Sequence, residues 1–184
     1  MKPISAWRYF ALSRLSKPTN DRIAYKAIRK HGYASIVEVG LRDGTRCENL
    51  IRVAQKFSPQ EKIRYTGIDL FDSREEQPPL TLLDTHKRLN SLGDNAKAKL
   101  VPGEFADGIQ RIANSHMRTD LVVIECTEEN EAFEAAWRFM PRMLHPNSLV
   151  IVMYPNNEYE TMNYLEVEKR ASAVVDRSKI PAAA

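Results

Sequence analysis

The chain has 184 residues, of which 43% are hydrophobic and 28% charged, an ordinary globular composition that excludes the disordered and collagen-like classes. This length accommodates one domain with a full hydrophobic core. The formal net charge of +3 is too small to identify a partner by itself.

Targeting and metal-binding signals are not visible in the sequence. No apolar run approaches the roughly 20 residues of a membrane-spanning helix, and the N-terminus lacks the uninterrupted apolar stretch of a signal peptide. We therefore expect a cytoplasmic protein. Cys47 and Cys126 do not form a paired motif, so we expect neither a disulfide nor a zinc site.

The first 34 residues hold eight basic side chains and one acid, Asp21, so eight minus one gives +7. Apolar spacing after Asn20 predicts a helix that Gly32 ends. We interpret residues 1–33 as a basic helical extension packed on an α/β domain of residues 34–184. A solvated helix face is the favoured interpretation of this charge, ahead of nucleic acid, an anionic surface or the acidic patch of another subunit.

A strand, a glycine loop, a helix and a second strand follow in βαβ order. Residues 35–39 (SIVEV) and 63–68 (IRYTGI) are the predicted strands. Thr45 and Glu48 have the spacing of a capping box at the start of an amphipathic helix between them. This order predicts parallel pairing of the two strands.

Three more apolar runs extend the same alternation. The predicted strands are residues 98–101, 121–124 and 149–153, and the predicted helices are 80–92, 105–112 and a helix capped by Thr127. Residues 158–175 favour a helix followed by a strand. The expected fold class is therefore α/β, a Rossmann-like, doubly wound, mostly parallel sheet of about six strands with helices on both faces and a shortened C-terminal hairpin.

Ligands of doubly wound sheets bind beyond the carboxyl ends of the strands, and acids predominate there: Glu38, Asp69, Glu104 and Glu125. Gly40 and Gly44 permit a tight turn that a ligand can approach closely. Arg42 stands where a dinucleotide-binding loop needs a further glycine, which argues against a pyrophosphate. Because an acid after the second strand can bind both ribose hydroxyls, the pattern indicates a nucleoside-type ligand.

These segments resemble the class I S-adenosylmethionine-dependent methyltransferases, within them the small bacterial branch with an E-[IV]-G-x-x-x-G-[ST] loop. The matching segments lie in the family's order over residues 34–154 and are IVEVGLRDGT, YTGIDLFD, LVPGEF, TDLVVIE and HPNSLVIV. In the last of these segments, relatives usually have K-P-G-G.

The resemblance implies a role in binding S-adenosylmethionine for eight residues. Glu38, Gly40 and Gly44 would border the methionine part, Asp69 would bind the ribose, and Leu70 would pack on the adenine. Glu104 would accept the adenine amino group, Phe105 would line the pocket, and Glu125 would lie near the sulfonium. From the residues alone, a plain strand-to-helix turn without a ligand stays open for the glycines, and helix capping stays open for Asp69 and Glu125.

Catalytic residues are harder to assign. Relatives often carry a D-G-D-H stretch after strand four and a His-Asp pair after strand five, whereas this chain has ECTEEN and MYPNN, so we expect no metal. No histidine follows a strand at the carboxyl edge. The polar candidates there are Glu128, Tyr154, Asn156 and Asn157.

The favoured function is an S-adenosylmethionine-dependent methyltransferase that O-methylates a small molecule or a glycan. The alternative is a catalytically silent methyltransferase-like domain that serves as a cofactor-binding or assembly module. A nicotinamide dehydrogenase ranks third. A sheet edge left open by the short C-terminus makes a homo-oligomer one further expectation.

Overall fold

One sheet of six strands forms the centre of the part that the computed structural model describes, which is residues 4–59, 61–75, 80–116, 118–126 and 129–178. The strands are β1 (Ser35–Val39), β2 (Ile63–Asp69), β3 (Ala96–Pro102), β4 (Leu121–Glu125), β5 (Leu149–Met153) and β6 (Tyr159–Asn163). Their order is β3-β2-β1-β4-β5-β6, in which the first five are parallel and β6 is antiparallel to β5.

Helices cover both faces of this sheet. They are α1 (Ala6–Leu15), α2 (Asp21–His31), α3 (Thr45–Phe57), α4 (Leu82–Asn90), α5 (Phe105–Ile112), α6 (Glu131–Ala136) and α7 (Tyr164–Ser178). Leu121 and Val123 of β4 point into the core formed with α1 to α4, whereas Val122 and Ile124 point into the core formed with α5 to α7. This alternation follows from the two-residue period of a strand and confirms the doubly wound fold.

The start of α3 differs from the predicted capping box. Asp43, rather than Thr45, satisfies the first turn, because its Oδ1 accepts a hydrogen bond from Thr45 N at 2.9 Å. Glu48 is drawn away from the helix start by two cations, since its carboxylate oxygens accept from Arg52 at 2.7 Å and Arg88 at 2.9 Å. The capping-box prediction is therefore wrong, although the helix begins where it was expected.

Helix α6 begins later than predicted. Its N-cap is Asn130, whose Oδ1 accepts from Phe133 N at 2.9 Å, and Thr127 lies outside the described residues. Asn130 lies three residues before Phe133, which is the spacing at which an N-cap side chain reaches the backbone amide of the first turn.

The prediction for the C-terminal segment is wrong in its order, because a strand comes first and a helix follows. Asn163 and Glu166 form a reciprocal cap at the start of α7: Asn163 N donates to Glu166 Oε2 at 2.7 Å, and Glu166 N donates to Asn163 Oδ1 at 3.1 Å. Val167 and Ala171 then bury on one face of this helix, four residues apart. The run ASAVV is therefore helical.

The N-terminal helices pack on the first face of the sheet. Gly32 ends α2 as predicted, with a φ of +68°. Tyr9 of α1 is buried, and its ring meets the ring of Phe57 edge-on at 4.7 Å. The boundary between residues 33 and 34 stays a prediction. In the described ranges, every helix is too short or too polar to cross a bilayer.

Candidate functional site

Three acids meet at the carboxyl edge of the sheet, which is the edge where the parallel strands end. Glu38 lies near the end of β1, Asp69 ends β2 and Glu125 ends β4, and both β2 and β4 pair with β1. Gly40 follows β1 with a φ of +75°, and a Cβ there would lie 2.7 Å from the Cβ of Glu125. Gly40 therefore lets Glu125 approach the loop, besides allowing the turn.

Arg46 occupies the centre of this edge, although no motif in the sequence indicates a role for it. Its side chain is only 1% exposed and projects from the first turn of α3. Nε donates to Glu38 Oε1 at 2.7 Å, Nη1 to Glu125 Oε2 at 2.5 Å, and Nη2 to the carbonyl oxygen of Gly40 at 2.6 Å. Nη1 also lies 3.3 Å from Asp21 Oδ1 of α2. One guanidinium thus joins two strands, the glycine loop and α2.

Glu38 is fully buried and has both carboxylate oxygens occupied. Its second oxygen accepts a hydrogen bond from the Tyr65 hydroxyl at 2.6 Å. Burial raises the pKa of Glu38, and the charge of Arg46 and the Tyr65 hydrogen bond act against that shift. Burial alone would lower the pKa of Arg46, but Glu38, Glu125 and Asp21 outweigh it and raise that pKa. Arg46 is therefore charged at all physiological pH values.

Arg42 adds a second guanidinium to the same acids. Its backbone has a φ of +52°, and its Nη2 donates to Asp21 Oδ1 at 2.5 Å. Its Nε lies 3.7 Å from Glu125 Oε2. Arg42 and Arg46 therefore share two carboxylates, one of which belongs to the basic N-terminal segment.

Asp69 is held by a third arginine, Arg74. Asp69 Oδ1 accepts from Arg74 Nε at 2.7 Å and from Phe71 N at 2.9 Å. Oδ2 accepts from Leu41 N at 2.6 Å and from Arg74 Nη2. Burial alone would raise the pKa of Asp69, but the hydrogen bonds from Arg74, Phe71 and Leu41 lower it. Asp69 is therefore a carboxylate clamped by one side chain and two backbone amides.

The remaining residues implied by the resemblance lie around Asp69 in different surroundings. Gly103 N donates to the carbonyl oxygen of Asp69 at 2.9 Å, which places Glu104 beside the end of β2, and both Glu104 and Leu70 are exposed. Phe105 is half-buried in the second core, 4.9 Å from the ring of Phe133.

Gly44 also has a left-handed backbone, with a φ of +76°, and it faces α4 rather than open solvent. A Cβ at this position would lie 3.2 Å from Arg88 Nη1 and 3.3 Å from Leu80 Cδ1. The glycine therefore allows α4 and the segment before it to approach the loop.

The catalytic candidates after β5 do not contact the arginines or the three acids. The Tyr154 hydroxyl donates to Glu129 Oε1 at 2.8 Å, and burial together with that hydrogen bond raises the pKa of Tyr154 above its ordinary value. Asn156 is exposed, and Asn157 Oδ1 accepts from Thr19 N at 2.8 Å. Glu128 lies outside the described residues. Burial and this hydrogen bond thus favour the protonated form of Tyr154.

The charges within this network of ion pairs nearly cancel. The carboxylates of Asp21, Glu38, Asp69 and Glu125 face the guanidiniums of Arg42, Arg46 and Arg74, so four minus three leaves one net negative charge. Among the residues that the structure describes, His, Cys, Asp and Glu side chains form no group of three that could hold a metal ion.

Comparisons with solved structures show the fold. The TDP-rhamnose 3′-O-methyltransferase of calicheamicin biosynthesis matches with a TM-score of 0.56 at 14% identity, covering 100% of this chain and 83% of that one. A sugar N-methyltransferase from a Streptoalloteichus species matches with a TM-score of 0.49 at 13% identity, covering 86% and 58%. An O-methyltransferase family protein from Burkholderia thailandensis matches with a TM-score of 0.48 at 13% identity, covering 79% and 39%.

The chain thus spans less than two thirds of the latter two proteins. A scan against protein-family models finds no match, and neither does a search of curated proteins. The first match establishes that the chain has the fold of class I methyltransferases, as the sequence predicted.

Proposed function

We propose that the carboxyl edge around Asp69 binds S-adenosylmethionine and that the chain is a methyltransferase acting on a hydroxyl of a small molecule or a glycan. The observation that carries this proposal is the two-pronged contact of Arg74 with Asp69. Two nitrogens of the Arg74 guanidinium donate to the two carboxylate oxygens of Asp69. The two hydroxyls of a ribose would offer a similar pair of donors. Arg74 therefore acts as a stand-in for the ribose.

The residues around Asp69 fit a nucleoside once Arg74 moves. The Arg74 side chain is 14% exposed, so it lies at the surface of the site, whereas Leu41 and Phe71 hold Asp69 in place through their backbone amides. Leu70 and Glu104 are exposed beside Asp69, where they are available to an adenine. When bound, the cofactor supplies the electrophilic methyl group.

We assign the residues around the methionine part of the cofactor differently from what the resemblance implies. Arg46 is buried and its guanidinium donates to Glu38, so we assign Glu38 the role of holding Arg46 rather than contacting a ligand. Arg42 lies between the two glycines of the loop, is partly exposed, and is the cation that we assign to the carboxylate of the methionine. The ligand then contacts the loop, Asp69 and Arg42.

Calorimetric titration with S-adenosylhomocysteine tests the cofactor assignment. We expect binding by the wild-type chain, at least about ten-fold weaker binding by Asp69→Ala, and unchanged binding by Asp84→Ala, which removes an exposed acid of α4. Equal affinities for wild type and Asp69→Ala, or no binding by wild type and by Arg74→Ala, contradict the assignment.

A second function is favoured by the same arginines. Glu38, Asp69 and Glu125 are already paired within the chain, which is the arrangement expected of a catalytically silent methyltransferase-like module. Transfer of a labelled methyl group to small-molecule or glycan acceptors separates the two functions. The methyltransferase predicts labelled product, whereas the silent module predicts none even when S-adenosylhomocysteine binds.

A further inference from the structure

Helix α1 presents large apolar side chains on both of its faces. Tyr9, Leu12 and Ser13 lie on the inner arc and pack on the protein, with Tyr9 and Ser13 buried. Trp7, Phe10 and Leu15 lie on the outer arc, where they are 73%, 47% and 62% exposed. At 100° per residue these two sets fall on opposite sides of the helix. The inner contacts explain how α1 is held, but they leave the outer arc without a role.

The N-terminal segment that carries the outer arc exposes basic side chains and no acid. Residues 4–34 contain one acid, Asp21, which is buried and paired with Arg42 and Arg46. The exposed charged side chains of this segment are Arg8, Arg14, Lys17, Lys26, Arg29 and Lys30. The surface that residues 4–34 contribute around Trp7 and Phe10 is therefore positive, and no exposed acid of this segment compensates it.

We propose that the outer face of α1, defined by Trp7, Arg8, Phe10, Arg14 and Leu15, docks on the surface of an anionic phospholipid bilayer. Interfacial helices combine aromatic and aliphatic side chains, which enter the headgroup region, with arginines and lysines that pair with anionic headgroups. Both kinds of side chain lie here on the same exposed arc.

The helix is formed before it meets a membrane, which lowers the cost of docking. Ser5 caps it, because Ser5 Oγ accepts from Arg8 N at 3.1 Å, and Tyr9 fixes it to Phe57 of α3. The lipid contacts therefore do not have to offset an entropic cost of folding this helix.

Single-stranded nucleic acid fits this surface less well. The rings of Trp7 and Phe10 stack on each other with centroids 5.6 Å apart, so each ring covers a face that a base would need. Leu15 offers no stacking surface, whereas it suits the acyl boundary of a bilayer.

Tryptophan fluorescence and vesicle co-sedimentation of the full chain test the proposal. The chain has two tryptophans, and Trp137 is completely buried, so a change in emission reports on Trp7. We expect a blue shift and co-sedimentation with vesicles of equal parts phosphatidylglycerol and phosphatidylcholine, weakened by salt, and neither with phosphatidylcholine alone.

Matched variants show whether vesicle binding depends on the outer face of α1 or on exposed apolar residues in general. Trp7→Ala/Phe10→Ala should abolish co-sedimentation, and Arg8→Gln/Arg14→Gln should weaken it by about five-fold for each base removed. Leu83→Ala/Leu165→Ala removes two exposed leucines on α4 and α7 and should leave it unchanged. Circular dichroism verifies that each variant is folded.

Several results overturn the proposal. The first is that the folded wild type does not bind anionic vesicles, and the second is that the Leu83→Ala/Leu165→Ala control loses as much vesicle binding as Trp7→Ala/Phe10→Ala. The third is that Trp7 is needed to bind a single-stranded oligonucleotide while vesicles are not bound. The fourth is that sedimentation shows a Trp7-dependent dimer while vesicles are not bound. All of them are independent of whether S-adenosylhomocysteine binds at Asp69.

Discussion

Arg74 places two nitrogens of its guanidinium on the two carboxylate oxygens of Asp69, the acid that ends β2. Arg74 Nη1 also donates to the carbonyl oxygen of Arg42 at 2.5 Å, so the same side chain ties the end of β2 to the glycine loop. The donors that a ribose would bring are thus already supplied by the chain. Binding of a nucleoside at Asp69 must exchange one pair of donors for another.

Removing this competing side chain should strengthen ligand binding. In Arg74→Ala each carboxylate oxygen of Asp69 loses its guanidinium donor and keeps one backbone amide, and we expect S-adenosylhomocysteine to bind about ten-fold or more tighter than to wild type in calorimetry. The matched control is Arg88→Ala, because Arg88 also contacts the loop, through the carbonyl oxygen of Asp43 at 3.2 Å, but does not contact Asp69. Weaker binding by Arg74→Ala would show that Arg74 helps to hold the ligand.

The same pair predicts a pH dependence of stability. The pKa of Asp69 is lowered in the folded state, so its contribution is fully present above the ordinary aspartate value of about 3.9 and is lost as pH falls through the lower folded value. Above about pH 4, Arg74→Ala should cost about 1–3 kcal/mol of the free energy of unfolding. Urea unfolding of both proteins should show this difference shrinking below that pH, and a difference that grows on acidification contradicts the pairing.

The order of the elements could be predicted from the sequence because it is encoded locally. The strands at residues 35–39 and 149–153 and the helix at 105–112 begin and end as predicted, and Gly40, Ser148 and Glu104 mark three of these boundaries. The C-terminal order could not be predicted in the same way. The run ASAVV suits a strand or a helix equally, and the Asn163–Glu166 cap decides between them.

The site was only half predictable for a related reason. The acids at strand ends follow from topology, but the pairing of Arg46 with Glu125 and Asp21 depends on long-range packing. Arg46 is 79 residues from Glu125 and 25 from Asp21 in the chain, and no local pattern in the sequence indicates those contacts. The presence of three acids around one glycine loop was the available signal that a buried cation would be needed.

Arg46 should contribute strongly to stability. Arg46→Met leaves Glu38 buried beside Asp21 and Glu125 without their shared cation, and we expect a loss of about 3–5 kcal/mol in urea unfolding. Arg52→Met is the control, since Arg52 forms an ion pair with Glu48 one turn away on the surface of α3 and should cost less than about 1 kcal/mol. Equal small losses for both variants contradict the central position of Arg46.

The glycine loop gives a test of close packing. Gly40→Ala brings a Cβ to 2.7 Å from the Cβ of Glu125, whereas the nearest atom to a Cβ at Gly32 is 3.6 Å away, and both glycines have left-handed backbones. Both substitutions incur the backbone cost of about 1–2 kcal/mol. Gly40→Ala should lower the free energy of unfolding by about 1–3 kcal/mol more than Gly32→Ala does. Equal free energies of unfolding for the two variants would show that Glu125 moves aside freely.

The most direct test of the nucleoside site is a crystal structure of the chain grown with S-adenosylhomocysteine. We predict that the ribose hydroxyls lie on the two oxygens of Asp69, that Arg74 has left them, and that Arg46 still holds Glu38 and Glu125. A ligand bound elsewhere, with Arg74 still on both oxygens of Asp69, contradicts the account.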